Sequence, residues 1–190
     1  KAEETGKDTS HSWYVLGITN YTMEHHHKAD SYAWVTLHPG DLHYKSRITK
    51  HSKDGMADLH IFVPTSAKSA KIDIYLSRTL ADTLVGDFVI DLTPSPAWCD
   101  LTLAASSGCD FSGDLESYTL DWTKLDWATK KVGTVAGYLA TGAYMEKHVE
   151  DLHMRGVVPK YMDYSGVKTK LEQHRIRTDN IQNDMSYARA

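Results

Sequence analysis

Three neighbouring segments between Ser31 and Val63 alternate in register with one another, and this narrows the possible folds more than any other feature of the chain. Ser31–His38 reads S-Y-A-W-V-T-L-H, Leu42–Thr49 reads L-H-Y-K-S-R-I-T, and Met56–Val63 reads M-A-D-L-H-I-F-V. His38-Pro39-Gly40-Asp41 and Ser52-Lys53-Asp54-Gly55 lie between them and read as turns, because Pro presets φ and Gly tolerates a positive one. Residues i and i+2 share one side of a strand. Pairing through the two turns sets Val35 beside Tyr44 and Ile48 beside Leu59. One face is then Ala33, Val35, Leu37, Leu42, Tyr44, Ser46, Ile48, Leu59, Ile61 and Val63. The other is Tyr32, Trp34, Thr36, His43, Lys45, Arg47, Thr49, Asp58, His60 and Phe62. The expected unit is an antiparallel meander with one apolar and one mixed face.

The 190 residues suit one domain over 1–190, with the polar stretch 1–11 as a flexible leader. A formal net charge of −4 gives no electrostatic case for nucleic acid or an anionic membrane. No apolar run approaches membrane-spanning length and no signal peptide is present, so membrane insertion is not expected. The chain begins at Lys1, which suggests a processed product. Cys99 and Cys109 could close a short loop in an oxidising space or stay reduced. With the glycosylation triplet Asn20-Tyr21-Thr22, these hints lean toward secretion.

Along the chain, β-branched and aromatic content marks Ser12–Thr19 as a strand ahead of the meander. Asn20–Asp30 reads as a loop carrying Glu24-His25-His26-His27. Ala70–Ser77 alternates again, and closing it as Ile61 opposite Ile72 would set Asp73 beside His60 and His60 beside Arg47. Leu84–Leu92 and Trp98–Ala104 follow as strands, a count that suits a barrel or sandwich. Ser106–Gly113 reads as loop and Ser117–Trp122 as a possible strand. Val132, Val135, Leu139, Met145, Val149 and Leu152 fall at helical spacing, although Gly133, Gly137 and Gly142 each cost about 1 kcal/mol in a helix. Val167, Leu171, His174, Thr178 and Ile181 share one helical face after Ser165 as N-cap.

Several of these residues resemble one family. Trp13-Tyr14-Val15-Leu16-Gly17 looks like the first strand of a lipocalin, and residues 31–64 are similar to its strands B to D. Leu152-His153-Met154-Arg155-Gly156 looks like its last barrel strand, and Val167–Ile181 resembles its C-terminal helix. His11 stands where the family has Gly, the family's Thr-Asp-Tyr motif is absent, and residues 105–147 exceed its usual connection. The resemblance implies a mainly β fold: an antiparallel meander closed as a lipocalin-like barrel, with a C-terminal helix and an inserted segment at about 105–147. It also implies that Arg155 packs over Trp13 at the barrel floor, and that Tyr32, Trp34, Arg47 and His60 point into a calyx.

The mixed face carries the candidate ligand-binding residues: Tyr32, Trp34, Thr36, Lys45, Arg47, His60, Phe62, Asp73 and Tyr75. A solvated outer face explains them without any ligand. A cavity explains them too, since Trp34 and Phe62 beside Lys45 suit an amphiphilic or anionic molecule. His25-His26-His27 with Glu24 offers imidazole, but adjacent loop side chains seldom converge on one ion, so no metal and no cofactor are expected. His60 with Asp73 could orient a base, yet no nucleophile is placed beside them, so an enzyme is the least supported class. The leading expectation is an extracellular protein that carries a small hydrophobic or amphiphilic ligand in its calyx. The alternative is an assembly protein whose meander and C-terminal helices build a homo-oligomer.

Overall fold

Strands rich in Val, Ile, Leu, Thr and Tyr build the described parts of the molecule, for which we use a computed structural model. It describes residues 13–64, 66–93 and 109–141, together with Met154. The strands are β1 (Trp13–Met23), β2 (Asp30–His38), β3 (Leu42–Lys45), β4 (Asp54–Gly55), β5 (Leu59–Phe62), β6 (Ser69–Ser77), β7 (Thr83–Asp91), β8 (Cys109–Asp121) and β9 (Asp126–Thr141). All pair antiparallel in one sheet of order β3-β2-β6-β7-β8-β9-β1-β4, with β5 also on β1. Between β7 and β8 the register holds a single pair, Asp87 with Glu116. The sheet curls as a half-barrel: Ala33, Val35, Ile72, Ile74 and Ile90 from one half meet Leu16, Ile18, Ile61, Leu115, Val135 and Leu139 from the other in one buried cluster.

The mainly β, antiparallel expectation holds, and so does the first turn. Val35 lies opposite Tyr44, and the apolar face of β2 is fully buried. The second turn is different. Asp54-Gly55 is a short strand paired with Thr22 and Tyr21, and the chain has crossed to the other half of the sheet. A Cβ at position 55 would collide with the ring of Tyr21, which explains glycine there. Leu59 therefore sits opposite Ile18 rather than Ile48, and Ile61 opposite Leu16. Ile72 pairs with Val35 and Phe88, so Asp73 lies between Trp34 and Asp87, away from His60.

The lipocalin barrel is overturned by this connectivity. An up-and-down barrel places sequential strands side by side. Here β1 pairs with β9, β5 and β4 but not with β2, and β2 lies between β3 and β6. No calyx exists among the described residues either, because the inside of the curl is filled by the apolar cluster. Over residues 109–141 the reading of an inserted segment at about 105–147 with a helix from Val132 is likewise corrected, whereas Met145, Val149 and Leu152 lie outside the described residues. Residues 109–141 form β8 and β9, the longest strands of the sheet. Gly133, Val135, Gly137 and Leu139 alternate on the buried face of β9, and glycine at two of these positions masks the period of two. The leader 1–11, the strand at Trp98–Ala104, Arg155 and the helix over 167–181 lie outside the described residues. Trp13 is buried, and its indole Nε1 has no hydrogen-bond partner among the described residues.

Candidate functional site

The nine candidate ligand-binding residues fall into two groups on different halves of the sheet. Tyr32, Trp34, Thr36, Lys45, Asp73 and Tyr75 lie on the side of β2, β3 and β6 that turns away from the apolar cluster. Tyr32 donates its hydroxyl proton to the Asp82 carboxylate. The Tyr75 ring stacks on it at 5.6 Å, and the Lys45 ammonium stands 4.4 Å from its ring centre. Burial and the Asp82 carboxylate raise the Tyr32 phenol above its ordinary range, while the same hydrogen bond lowers the Asp82 carboxyl. Trp34 tilts against His43 at 5.1 Å, and Thr36 Oγ1 lies 3.3 Å from His43 Nδ1. Lys71 Nζ stands 3.7 Å from both Asp73 and Asp87, and burial pushes both carboxyls up against that cation. Asp73 Oδ1 has no hydrogen bond among the described residues. These aromatic and ionic groups are engaged with one another as a packed polar face.

Arg47, His60 and Phe62 belong to the other half. His60 is tied at both ring nitrogens, Nε2 at 2.8 Å from Asp58 Oδ1 and Nδ1 at 2.8 Å from the Tyr138 hydroxyl. A carboxylate only accepts, so Nε2 carries a proton. Arg47 Nη2 reaches Asp58 Oδ2 at 3.5 Å, so Asp58 joins Arg47 to His60. Gly17 lies between Tyr138 and His60 in the strand register, and a Cβ there would strike the Tyr138 ring, which crosses Gly17 to reach the imidazole. Thr19, Asp58, His60, Asp110 and Tyr138 line a shallow cavity of about 370 Å³. Phe62 sits half-buried opposite Val15. The Glu24–His27 loop brings the rings of His25 and His27 edge to face at 6.5 Å. Among the described residues no three His, Cys, Asp or Glu side chains are grouped to hold a metal ion.

A third feature was not singled out in the sequence. Beyond Glu116 the β8–β9 pair continues as a two-stranded ribbon, closed by a turn at 122–125. Trp122 and Leu125 are 76% exposed, Trp127 is 67% exposed and Tyr118 55%. The turn is tied down: Asp121 Oδ1 accepts from the Thr123 amide at 3.0 Å and its hydroxyl at 2.6 Å, and Lys124 N donates to Asp121 O. Leu120 pairs with Trp127 and Tyr118 with Thr129, so these four side chains share one face. Ser117, Thr119, Asp121, Asp126, Ala128 and Lys130 share the other. The signal in the sequence was the spacing Tyr118, Leu120, Trp122 before the turn and Leu125, Trp127 after it. Large apolar residues usually point to burial, which hid its meaning.

No protein-family model matches this chain, and no curated protein matches it in sequence. Solved structures do resemble it. One is the C2A domain of plant Extended Synaptotagmin 1, at 12% identity over 68% of this chain and 93% of that one, with a TM-score of 0.49. A second holds the C2A and C2B domains of Extended-Synaptotagmin 2, at 14% identity over 75% of this chain and 48% of that one, TM-score 0.49. A third is CC2D1B, at 15% identity over 76% and 60%, TM-score 0.46. The chain thus spans about half of the two-domain synaptotagmin chain. The first two are described as C2 domains; it is the strand order of this chain that retires the reading of a lipocalin-like calyx carrier.

Proposed function

We propose that this chain is a binding module, not an enzyme, that attaches to the surface of a lipid bilayer through the β8–β9 ribbon. The observation that carries the reading is the exposure of Tyr118, Trp122, Leu125 and Trp127 together around the closing turn of one ribbon. Tryptophan and tyrosine favour the bilayer interface, where an apolar body meets a wet rim. A ribbon two strands wide offers no groove for a protein partner's side chains, whereas protein hot spots need pockets. A bilayer interface needs none. On this reading the amphiphilic partner expected from the sequence meets a surface and not the inside of a barrel.

The magnitude follows from area. A Trp side chain offers about 150–250 Å². With three quarters exposed and half of that immersed, about 25 cal/mol per Å² gives about 2 kcal/mol for each Trp. That is roughly 30-fold in affinity. Co-sedimentation with lipid vesicles tests it: the wild type is expected to pellet, and Trp122→Ala with Trp127→Ala to remain in the supernatant with an unchanged circular dichroism spectrum. Wild-type protein that stays in solution with every vesicle, or a double variant that pellets equally well, refutes the proposal. A ribbon that instead mediates self-association would show as a dimer by sedimentation velocity in the absence of lipid.

A further inference from the structure

Resting on the membrane-surface reading above, we infer that the ribbon lies flat on an uncharged, zwitterionic bilayer surface, with Tyr118, Leu120, Trp127 and Thr129 downward. Two independent observations carry this. The first is the division of side chains between the faces. Cross-strand partners share a side, so Tyr118–Thr129 and Leu120–Trp127 make an apolar strip. Asp121–Asp126 and Ser117–Lys130 fall on the opposite, polar strip. A ribbon driven in tip-first would carry the Asp121 and Asp126 carboxylates into the hydrocarbon, and a bare carboxylate there is costly. Lying flat keeps both carboxylates in water while the apolar strip is covered. Asp121 is held ionised by its hydrogen bonds from Thr123, so acidification within the neutral range does not relieve that constraint.

The second observation is charge. Between residues 114 and 131 the chain carries the acids Asp114, Glu116, Asp121 and Asp126 and the bases Lys124, Lys130 and Lys131. Lys131 is already paired with Asp114 at 3.5 Å. An anionic leaflet attracts proteins through clusters of Lys and Arg in excess of acids. Here the acids are in excess, and the whole chain has a formal charge of −4. Contact therefore rests on apolar burial, and a negative surface opposes it.

Two arms of one experiment test this with the full chain in buffer containing a chelator. In the first, binding to phosphatidylcholine vesicles is compared with binding to vesicles containing about 30% phosphatidylserine. Affinity for the neutral vesicles is expected to be equal or higher, and raising salt from about 0.05 to about 0.5 M is expected to change it by less than threefold. Asp121→Asn with Asp126→Asn should improve binding to the anionic vesicles more than to the neutral ones. In the second arm, an environment-sensitive fluorophore is placed at Thr129→Cys or Ala128→Cys. A blue shift on adding neutral vesicles is expected at position 129 and not at 128. Binding only to phosphatidylserine vesicles, or equal shifts at both positions, overturns the inference while leaving surface attachment standing. Absence of binding to any vesicle overturns the attachment itself.

Discussion

Replacing Gly17 with Ala tests how the second half of the sheet is held together. In the native fold the Tyr138 ring lies across Gly17, is buried, and presents its hydroxyl to His60 Nδ1 at 2.8 Å. A methyl group at position 17 occupies the space of the ring's own carbons, so the ring itself must leave and not merely its flexible end. Losing most of an aromatic side chain's burial costs about 1.5–3 kcal/mol. Leaving His60 Nδ1 short of its partner adds about 1–3 kcal/mol where water cannot reach it. The Ala recovers about 0.5–1 kcal/mol because glycine is entropically unfavourable in a strand. The net expectation is a destabilisation of about 1.5–5.5 kcal/mol, read from urea unfolding followed by tryptophan fluorescence. Combining Gly17→Ala with Tyr138→Ala isolates the cause, since the methyl group should cost little once the ring is gone. A Gly17→Ala protein as stable as the wild type, or costs that simply add in the double variant, would show that the ring does not occupy that space.

Two further outcomes follow from the same structure. Val35 is fully buried, so Val35→Asp should leave no folded protein at neutral pH, while Trp34→Ala on the opposite face should cost less than about 2 kcal/mol; a folded Val35→Asp protein by circular dichroism would refute the assignment of faces. Burial raises the folded-state carboxyls of Asp73 and Asp87 above their unfolded value, so the folded protein holds these protons more tightly. The pair's contribution to stability is therefore greatest below the ordinary carboxylate range and falls as pH rises through the raised values. Lys71→Met removes the cation that opposes this shift, and should destabilise more at about pH 7.5 than at about pH 4.5; equal loss of the urea midpoint at both pH values would sink the argument.

Local features of the fold were legible where neighbouring residues decide them. The Val35–Tyr44 register, the extents of β6 and β7, and the apolar face of β2 follow from alternation and one turn. Alternation fixes which side a residue takes, but not which strand it meets. The partners of β1 are Gly133 to Thr141 on one side and Asp54–Gly55 with Leu59–Phe62 on the other, and neither is near in sequence. Asp54-Gly55 looks like a hairpin turn because glycine is common there; it is glycine because the Tyr21 ring lies against it. In the candidate site, the mixed character of the face holding Tyr32, Trp34 and Asp73 was readable, but its distance from His60 was not. The partner of His60 proved to be Asp58, two residues away, and the second, Tyr138, was hidden in a stretch whose glycines imitate a helical period. Trp122 and Trp127 were visible as letters, whereas their exposure depends on how far the ribbon runs past the sheet.

The place of β1 in the sheet has a consequence for how the protein is made. Its ladder to β9 joins residues more than a hundred positions apart, as the bond from Thr19 Oγ1 to Ala136 O shows. Non-local closure of this kind slows folding, because the chain loses its loop entropy before the contacts form. During synthesis β5 can pair with one edge of β1 early, through Val15–Phe62, Leu16–Ile61 and Ile18–Leu59, while the edge that meets β9 waits until residues 133–141 have left the ribosome. That interval leaves an unpaired apolar edge open to other chains. Slower translation across residues 109–141 would lengthen it, and a chaperone holding β1 would shelter the chain until β9 arrives.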